Sequence, residues 1–342
     1  MSDPTADCRL PTADFALIPP IAIAPFAQAG VNNSVWLVRT GAGEFIWKES
    51  RHALGSVAAL EYEHWLIEEL ARQSPPFAVP VPVRTRDGKT YSALPGGGLG
   101  LLLPRLPGEQ IIRHDPAEIA AFGEAGGAMM VALAGVPPRP HPTMVSYGNP
   151  RGIHPRIPDP YTLTPTDVDL PDTLEHAELF GWWRAVLADT AAFIDGPYRA
   201  LPRQMTHSDF APGNTLVVEG KVVAILDFEF AQPDVRAIDV ASALVHSMRL
   251  WERTTPDALA MAAAYSRGFA RAASLTDAEI AALPNLLILR SVVATIWWLG
   301  RDLAEGRPTN LERLTELRDL ATWLSAHGET LQGIVRDAMR PA

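Results

Sequence analysis

Residues 205–229 read Met-Thr-His-Ser-Asp-Phe-Ala-Pro-Gly-Asn-Thr-Leu-Val-Val-Glu-Gly-Lys-Val-Val-Ala-Ile-Leu-Asp-Phe-Glu, and the rest of the chain is best understood outward from them. A polar loop offers His207, Asp209 and Asn214. An apolar run over 215–218, a turn at Glu219-Gly220 and a β-branched run over 221–226 then predict a hairpin. Asp227 lies just past its second strand. Strands rise roughly 3.3 Å per residue, so the two open ends of so short a hairpin return to one neighbourhood. Asp209, Asn214 and Asp227 are therefore expected to converge.

Two carboxylates and an amide at a mouth open to water suit a hard cation such as Mg²⁺ carried by a nucleotide phosphate. Phosphoryl transfer uses this set: one carboxylate accepts the proton of an attacking hydroxyl, while an Asn and an Asp hold magnesium.

His207-Ser-Asp209 followed by Asn214 resembles the kinase catalytic loop H-x-D-x-x-x-x-N, and Asp227-Phe-Glu229 resembles the D-F-G metal motif. Glu229 in place of Gly, and Pro-Gly before Asn214, make the chain similar to the aminoglycoside phosphotransferase, homoserine kinase and choline kinase family. The resemblance implies Asp209 as catalytic base, Asn214 and Asp227 as magnesium ligands, and His207 as a brace of the loop. It implies ATP and Mg²⁺ as cofactors and a small-molecule hydroxyl acceptor.

The N-terminal stretch fits the same scheme. Residues 26–34 precede two strand-like runs, 35–40 and 44–49, joined by a turn at Gly41-Ala-Gly43. The loop around Gly30, Asn33 and Ser34 is placed to offer backbone N–H groups to phosphates, although it lacks a full G-x-G-x-x-G pattern. The chain has only three lysines, and Lys48 falls on the second of these strands. A helix over 56–72 follows, with Leu66, Ile67 and Leu70 as its apolar stripe. A kinase needs a strand lysine on the phosphates held by a glutamate of the next helix. Glu63 is the choice, with Glu61 as competitor.

Residues 77–84 and 90–94 read as further strands, and 99–103 as an apolar strand running into Pro104-Arg-Leu-Pro-Gly-Glu. This end resembles the family's interlobe hinge, where backbone groups near Pro104 and Leu106 meet adenine. Proline lacks an N–H, so Leu106 is the expected donor. Asp115-Pro116-Ala-Glu118 marks a helix start. Residues 135–173 form a long Pro-rich connection, and helices follow over 174–194, 256–273, 276–303 (with Pro284 dividing or kinking it) and 310–332. Asp239 opens another helical run and is read as a brace capping backbone donors. Trp297, Trp298 and Trp323 are assigned to the core rather than to an acceptor pocket.

The expected fold is α+β, a two-lobe protein-kinase-like architecture. Residues 1–104 would form an N-terminal nucleotide-binding lobe of antiparallel sheet plus one helix. Residues 105–342 would form a mainly helical catalytic and acceptor-binding lobe. The net charge of −10 disfavours nucleic-acid binding. The one cysteine excludes an internal disulfide and fits a cytoplasmic setting. The apolar run over 283–300 is interrupted by Arg290 and is read as a buried helix, not a membrane span. The expected activity is ATP- and Mg-dependent transfer to a small molecule, with a homoserine-type amino alcohol preferred. Aminoglycoside or choline-type acceptors, a Ser/Thr protein kinase and a non-catalytic nucleotide-binding module are the alternatives. The short segment between Asp227 and Asp239 argues against the protein kinase.

Overall fold

The computed structural model describes residues 8, 10–26, 33–50, 56–94, 97–111, 115–250 and 252–340. The chain divides into two compact units. Met1–Gln110 and Asn214–Glu229 form the first, and Ile111–Gly213 and Phe230–Ala342 the second. The hairpin at 215–225 thus groups with the N-terminal strands, whereas a contiguous 105–342 lobe would have claimed it.

The first unit is built on an antiparallel sheet: β1 (Ala22–Pro25), β2 (Asn33–Thr40), β3 (Gly43–Ser50), β5 (Leu99–Pro104) and the two-residue β4 (Ser92–Ala93), in the order β1-β2-β3-β5-β4. Ala22 to Pro25, at the end of the Pro-rich lead-in, pair with Trp36 to Arg39. Side chains alternate faces along a strand. Trp36, Val38, Trp47 and Leu102 go to one face, covered by Phe15 and the lead-in. Leu99 and Leu101 go to the other, against Leu60 of α1 (Val57–Arg72). The helix is capped by the Ser56 side chain, which accepts from the Ala59 amide.

Residues 77–84 are not a strand as expected. Pro80 and Pro82 lack the N–H that a ladder needs. Only Ala78 pairs, in a parallel bridge to Ala224. A three-stranded sheet completes this unit: β6 (Glu109–Gln110), β8 (Thr215–Val218) and β9 (Lys221–Ile225), in that order. Glu219 and Gly220 both take positive φ, 51° and 75°, as a tight hairpin turn requires.

The second unit is mainly helical: α2 (Pro116–Ala134), α3 (Leu174–Asp195), α4 (Ala237–Met248), α5 (Thr255–Phe269), α6 (Asp277–Glu305) and α7 (Glu312–Ala338). A small ribbon joins β7 (Arg203–Thr206) to β10 (Gln232–Val235). Helices α2 and α5 approach so closely that a Cβ on Gly268 would sit 1.9 Å from the Ala120 carbonyl oxygen. Pro284 does not divide α6. Its missing N–H costs one bond, but Leu283, Leu286 and Leu287 are fully buried around it. Gln332 of α7 also donates to the nearby Ala281 carbonyl at 2.8 Å. Helices α2 and α6 are long and apolar enough to cross a membrane. More than half of the apolar window of each, 56% and 61%, is buried inside the protein, as in core helices. Trp297, Trp298 and Trp323, expected in the core, are each only partly buried.

Candidate active site

In the first unit, Lys48 sits on β3 opposite Val35 and Leu101, so its side chain leaves the sheet on the face that α1 covers. Its Nζ lies 3.2 Å from Asp227 Oδ1, and the two side chains are 19% and 36% exposed. Burial disfavours the ammonium, but the charges of Asp227, Glu229 and Glu63 outweigh that and hold Lys48 above the usual lysine range.

Glu63 is three residues beyond Leu60 on α1 and therefore on the same helix face. Desolvation pushes its carboxyl up to about 7, with Lys48 pulling it down and Asp227 adding to the rise. Glu61 is exposed and accepts from the Tyr91 hydroxyl at 3.4 Å. Of the two glutamates, Glu63 is the one whose charge acts on Lys48, and Lys48 makes its ion pair with Asp227.

The hairpin brings its two ends together: the Leu226 amide donates to the Asn214 carbonyl at 2.9 Å. Asp227 follows at once, with a φ of 65°, a backbone state that costs a non-glycine residue energy. The oxygen-bearing side chains of Asn214 and Asp227 thus belong to one hairpin mouth. Magnesium usually keeps several waters and takes one or two protein ligands beside substrate phosphates. An amide and a carboxylate at that mouth are chemically suited to it. Among the described residues no group of three or more His, Cys, Asp or Glu is arranged to hold a metal ion.

The predicted phosphate loop is only partly visible. Gly30 lies outside the described residues. Asn33 and Ser34, expected in the loop, are in β2, where they pair with Ser50 and Glu49. Two further β-ladder rungs account for the shift. Pro104 ends β5 opposite Phe45, and the Arg105 amide donates to the Glu44 carbonyl. The Leu106 amide makes no hydrogen bond among the described residues.

In the second unit the loop after β7 carries Asp209. Asp239, 4% exposed near the start of α4, accepts from the amides of His207 at 2.9 Å and Ser208 at 2.7 Å. Buried His207 packs its ring edge-on to Phe210, and its Nδ1 accepts from the Asp209 amide at 3.3 Å. Ser208 takes a φ of 67°, and its carbonyl accepts from the buried Tyr147 hydroxyl at 2.6 Å. Tyr147 is tied by its own amide to Asp234 at 2.8 Å. The backbone just before Asp209 is thereby held by Asp239 of α4 and by Tyr147 of the 135–173 connection.

Sequence reasoning missed three contributors. Glu229 acts on Lys48 but was read only as a family mark. Tyr147 lies in the 135–173 connection, to which no role was given. Arg290, on α6, has Nη2 3.7 Å from Asp209 Oδ1 and 2.8 Å from His246 Nε2. Its signal was available: it is the charge that interrupts an apolar helix.

The phosphotransferase enzyme family matches residues 23–275. The chain belongs to that family. A homoserine kinase of Acidiphilium cryptum (strain JF-5) is 30% identical over 75% of this chain and 74% of its own length. Among solved structures, a microcompartment-associated aminopropanol kinase superposes with a TM-score of 0.67 at 15% identity, covering 93% of this chain and 96% of its own. An amicoumacin kinase in complex with AMP-PNP, Ca²⁺ and Ami gives 0.62 at 17%, covering 92% and 91%. This phosphotransferase therefore has the α+β, two-lobe kinase-like fold, and it is an enzyme that moves a phosphoryl group to a small molecule.

Proposed function

We propose that the chain transfers the γ-phosphate of ATP to the hydroxyl of a homoserine-type amino alcohol. The observation that carries this reading is the 3.2 Å pairing of Lys48 with Asp227, a strand lysine beside the acidic residue that ends the hairpin. The similarity to a homoserine kinase at 30% identity supports the acceptor class. The acceptor is small because the chain between Asp227 and Asp239 is taken up by β10 and the start of α4, with no peptide-binding segment.

Bound ATP, as its magnesium complex, supplies the electrophilic phosphorus and the ADP leaving group. Asn214 and Asp227 would hold the metal. Lys48 neutralises phosphate charge, and Glu63 steadies Lys48. The Leu106 amide and Pro104 carbonyl are the proposed adenine contacts. Gly30, Asn33 and Ser34 remain the proposed phosphate-side backbone. Asp209 orients the acceptor hydroxyl and accepts its proton, while His207 and Asp239 brace the loop. The enzyme works in the cytoplasm.

The test is ADP release from ATP and Mg²⁺ across a panel of hydroxyl compounds, with Asp209→Asn as control. L-homoserine is expected to give turnover, and Asp209→Asn to lose at least about 10²-fold in kcat while still binding ATP. Near-normal turnover by Asp209→Asn would remove Asp209 from the chemistry.

A further inference from the structure

Arg290 is the one charged residue between Leu283 and Leu299 of α6. Leu286, Leu287, Leu289 and Val292 around it are fully buried, and its own side chain is 14% exposed. A charge drawn that far from water is costly unless its neighbours answer it.

Two side chains of the second unit do. Arg290 Nη2 donates to His246 Nε2 at 2.8 Å. A guanidinium has no acceptor, so this imidazole nitrogen supplies the lone pair and the ring is neutral, with its hydrogen on Nδ1. The same Nη2 stands 3.7 Å from Asp209 Oδ1, and Asp209 is the acid that pairs with Arg290 among the described residues. At that separation charge holds the pair without a hydrogen bond. Arg290 therefore favours the ionised carboxylate without itself occupying the lone pair that an attacking hydroxyl needs.

Helix α4 supports this arrangement twice. Asp239, near its start, accepts from the loop amides of His207 and Ser208. His246 follows seven residues on, two turns along the same face, and fixes Arg290. The remaining groups facing this loop are His207 within it and Tyr147 from the 135–173 connection, whose hydroxyl donates to the Ser208 carbonyl. Burial holds the Tyr147 phenol above its ordinary range, so it stays a neutral donor. The charges that act on it are those of Arg290, Asp209, Asp239 and Asp234. Arg290 is the positive one of the four.

Resting on the reading of Asp209 as proton acceptor, we propose that Arg290 is its positioning residue: anchored on His246, it holds the Asp209 side chain ionised and in one orientation. In the transfer, the acceptor O–H gives its proton to Asp209 while its oxygen bonds to the γ-phosphorus and the bond to the bridging oxygen of ADP breaks. A carboxylate that drifts or protonates early performs this step less often.

The experiment follows ADP release with L-homoserine from about pH 5.5 to 9 in wild type, Arg290→Gln, Arg290→Lys and Asp209→Asn. Arg290→Gln is expected to lower kcat on the order of 10- to 100-fold, with the KM for ATP changed less than about threefold. It should also move the acidic limb of the kcat profile up by about one pH unit or more, because the carboxylate has lost its cation. Arg290→Lys keeps the charge and recovers most of both. If Arg290→Gln fails to fold, His246→Leu carries the test: the limb moves the same way by less, and His246→Gln, which keeps an acceptor, restores it. Titration of ¹³C-labelled aspartate carboxyls, with the Asp209 signal identified by its absence from Asp209→Asn, reads the same quantity without any acceptor. A kcat that falls equally at every pH, with Arg290→Lys as poor as Arg290→Gln, or an Asp209 signal that titrates unchanged in the Arg290 or His246 variants, would overturn the proposal. An inactive Asp209→Asn beside such a result leaves the reading of Asp209 standing. Near-normal turnover by Asp209→Asn removes that reading and the proposal together.

Discussion

Replacing Asp239 by alanine removes the carboxylate under the loop that carries Asp209. It strands the buried amides of His207 and Ser208, which Asp239 accepts at 2.9 and 2.7 Å. Each orphaned donor costs about 1–3 kcal/mol, or ~2–6 kcal/mol together. A second effect opposes the first. Burial raises the Asp239 carboxyl from an ordinary 3.8 to about 6, although the charge of His207 and the two amide bonds pull it down. The folded chain therefore holds this proton more tightly than the unfolded one. The group's contribution to stability is complete below the unfolded value and is lost as pH rises through about 6. The interval from 3.8 to about 6 corresponds to ~3 kcal/mol. The stability gap between wild type and Asp239→Ala is thus widest near pH 4 and narrows by ~2–3 kcal/mol by pH 8. At about 2–4 °C per kcal/mol, the difference in Tm shrinks by roughly 5–10 °C. Melting followed by circular dichroism across that range reads it directly. Turnover at neutral pH should fall by about 10²-fold as Asp209 loses its fixed position. A gap that stays level or widens with pH, or a variant with wild-type kcat, would refute the reasoning.

Three other outcomes are expected. Lys48→Met removes the cation paired with Asp227 and should lower kcat/KM for ATP by about 10²–10³-fold with little change in Tm, checked by coupled assay and melting. Glu63 titrates near 7 because it is desolvated, so its ionised form, the one that steadies Lys48, develops as pH rises from 6 to 8. The KM for ATP should improve over that interval in wild type and stay flat in Glu63→Gln. The same linkage makes the variant gain stability relative to wild type as pH climbs from 4.5 through 7, since the raised carboxyl favours the protonated fold. Gly268→Ala puts a methyl 1.9 Å from the Ala120 carbonyl oxygen, backbone that has no rotamer in which to retreat. α2 and α5 must separate at a cost of about 1–3 kcal/mol, seen as a Tm lower by several degrees.

The parts of the protein legible in the sequence were those whose local chemistry agrees with their final place. The 215–225 hairpin has β-branched runs and a Glu-Gly turn, and α1, α2 and α6 carry their own caps at Ser56, Asp115 and Thr276. The illegible parts depend on distant partners. Residues 77–84 look β-branched, but their prolines leave only Ala78 in a β-bridge, and its partner is 146 residues further along the chain. The ribbon of Arg203–Thr206 with Gln232–Val235 exists because the chain returns there after the hairpin. Pro284 reads as a break by itself, and α6 continues through it because burial on both sides outweighs one lost bond. In the site, Lys48, Glu63 and Asp227 were named from motif and spacing. Arg290 and Tyr147 were not, since only folding brings them to the loop of Asp209.

The grouping of Asn214–Glu229 with the first 110 residues has a consequence for biosynthesis. A nascent chain that has emerged only as far as Gln110 possesses the five-stranded sheet, yet Ala78 and β6 still lack the neighbours that β8 and β9 provide. The ribosome must deliver another hundred or so residues before that module can close on itself. Any attempt to express the amino-terminal segment alone would release an open-edged sheet, with the aggregation hazard that such edges bring.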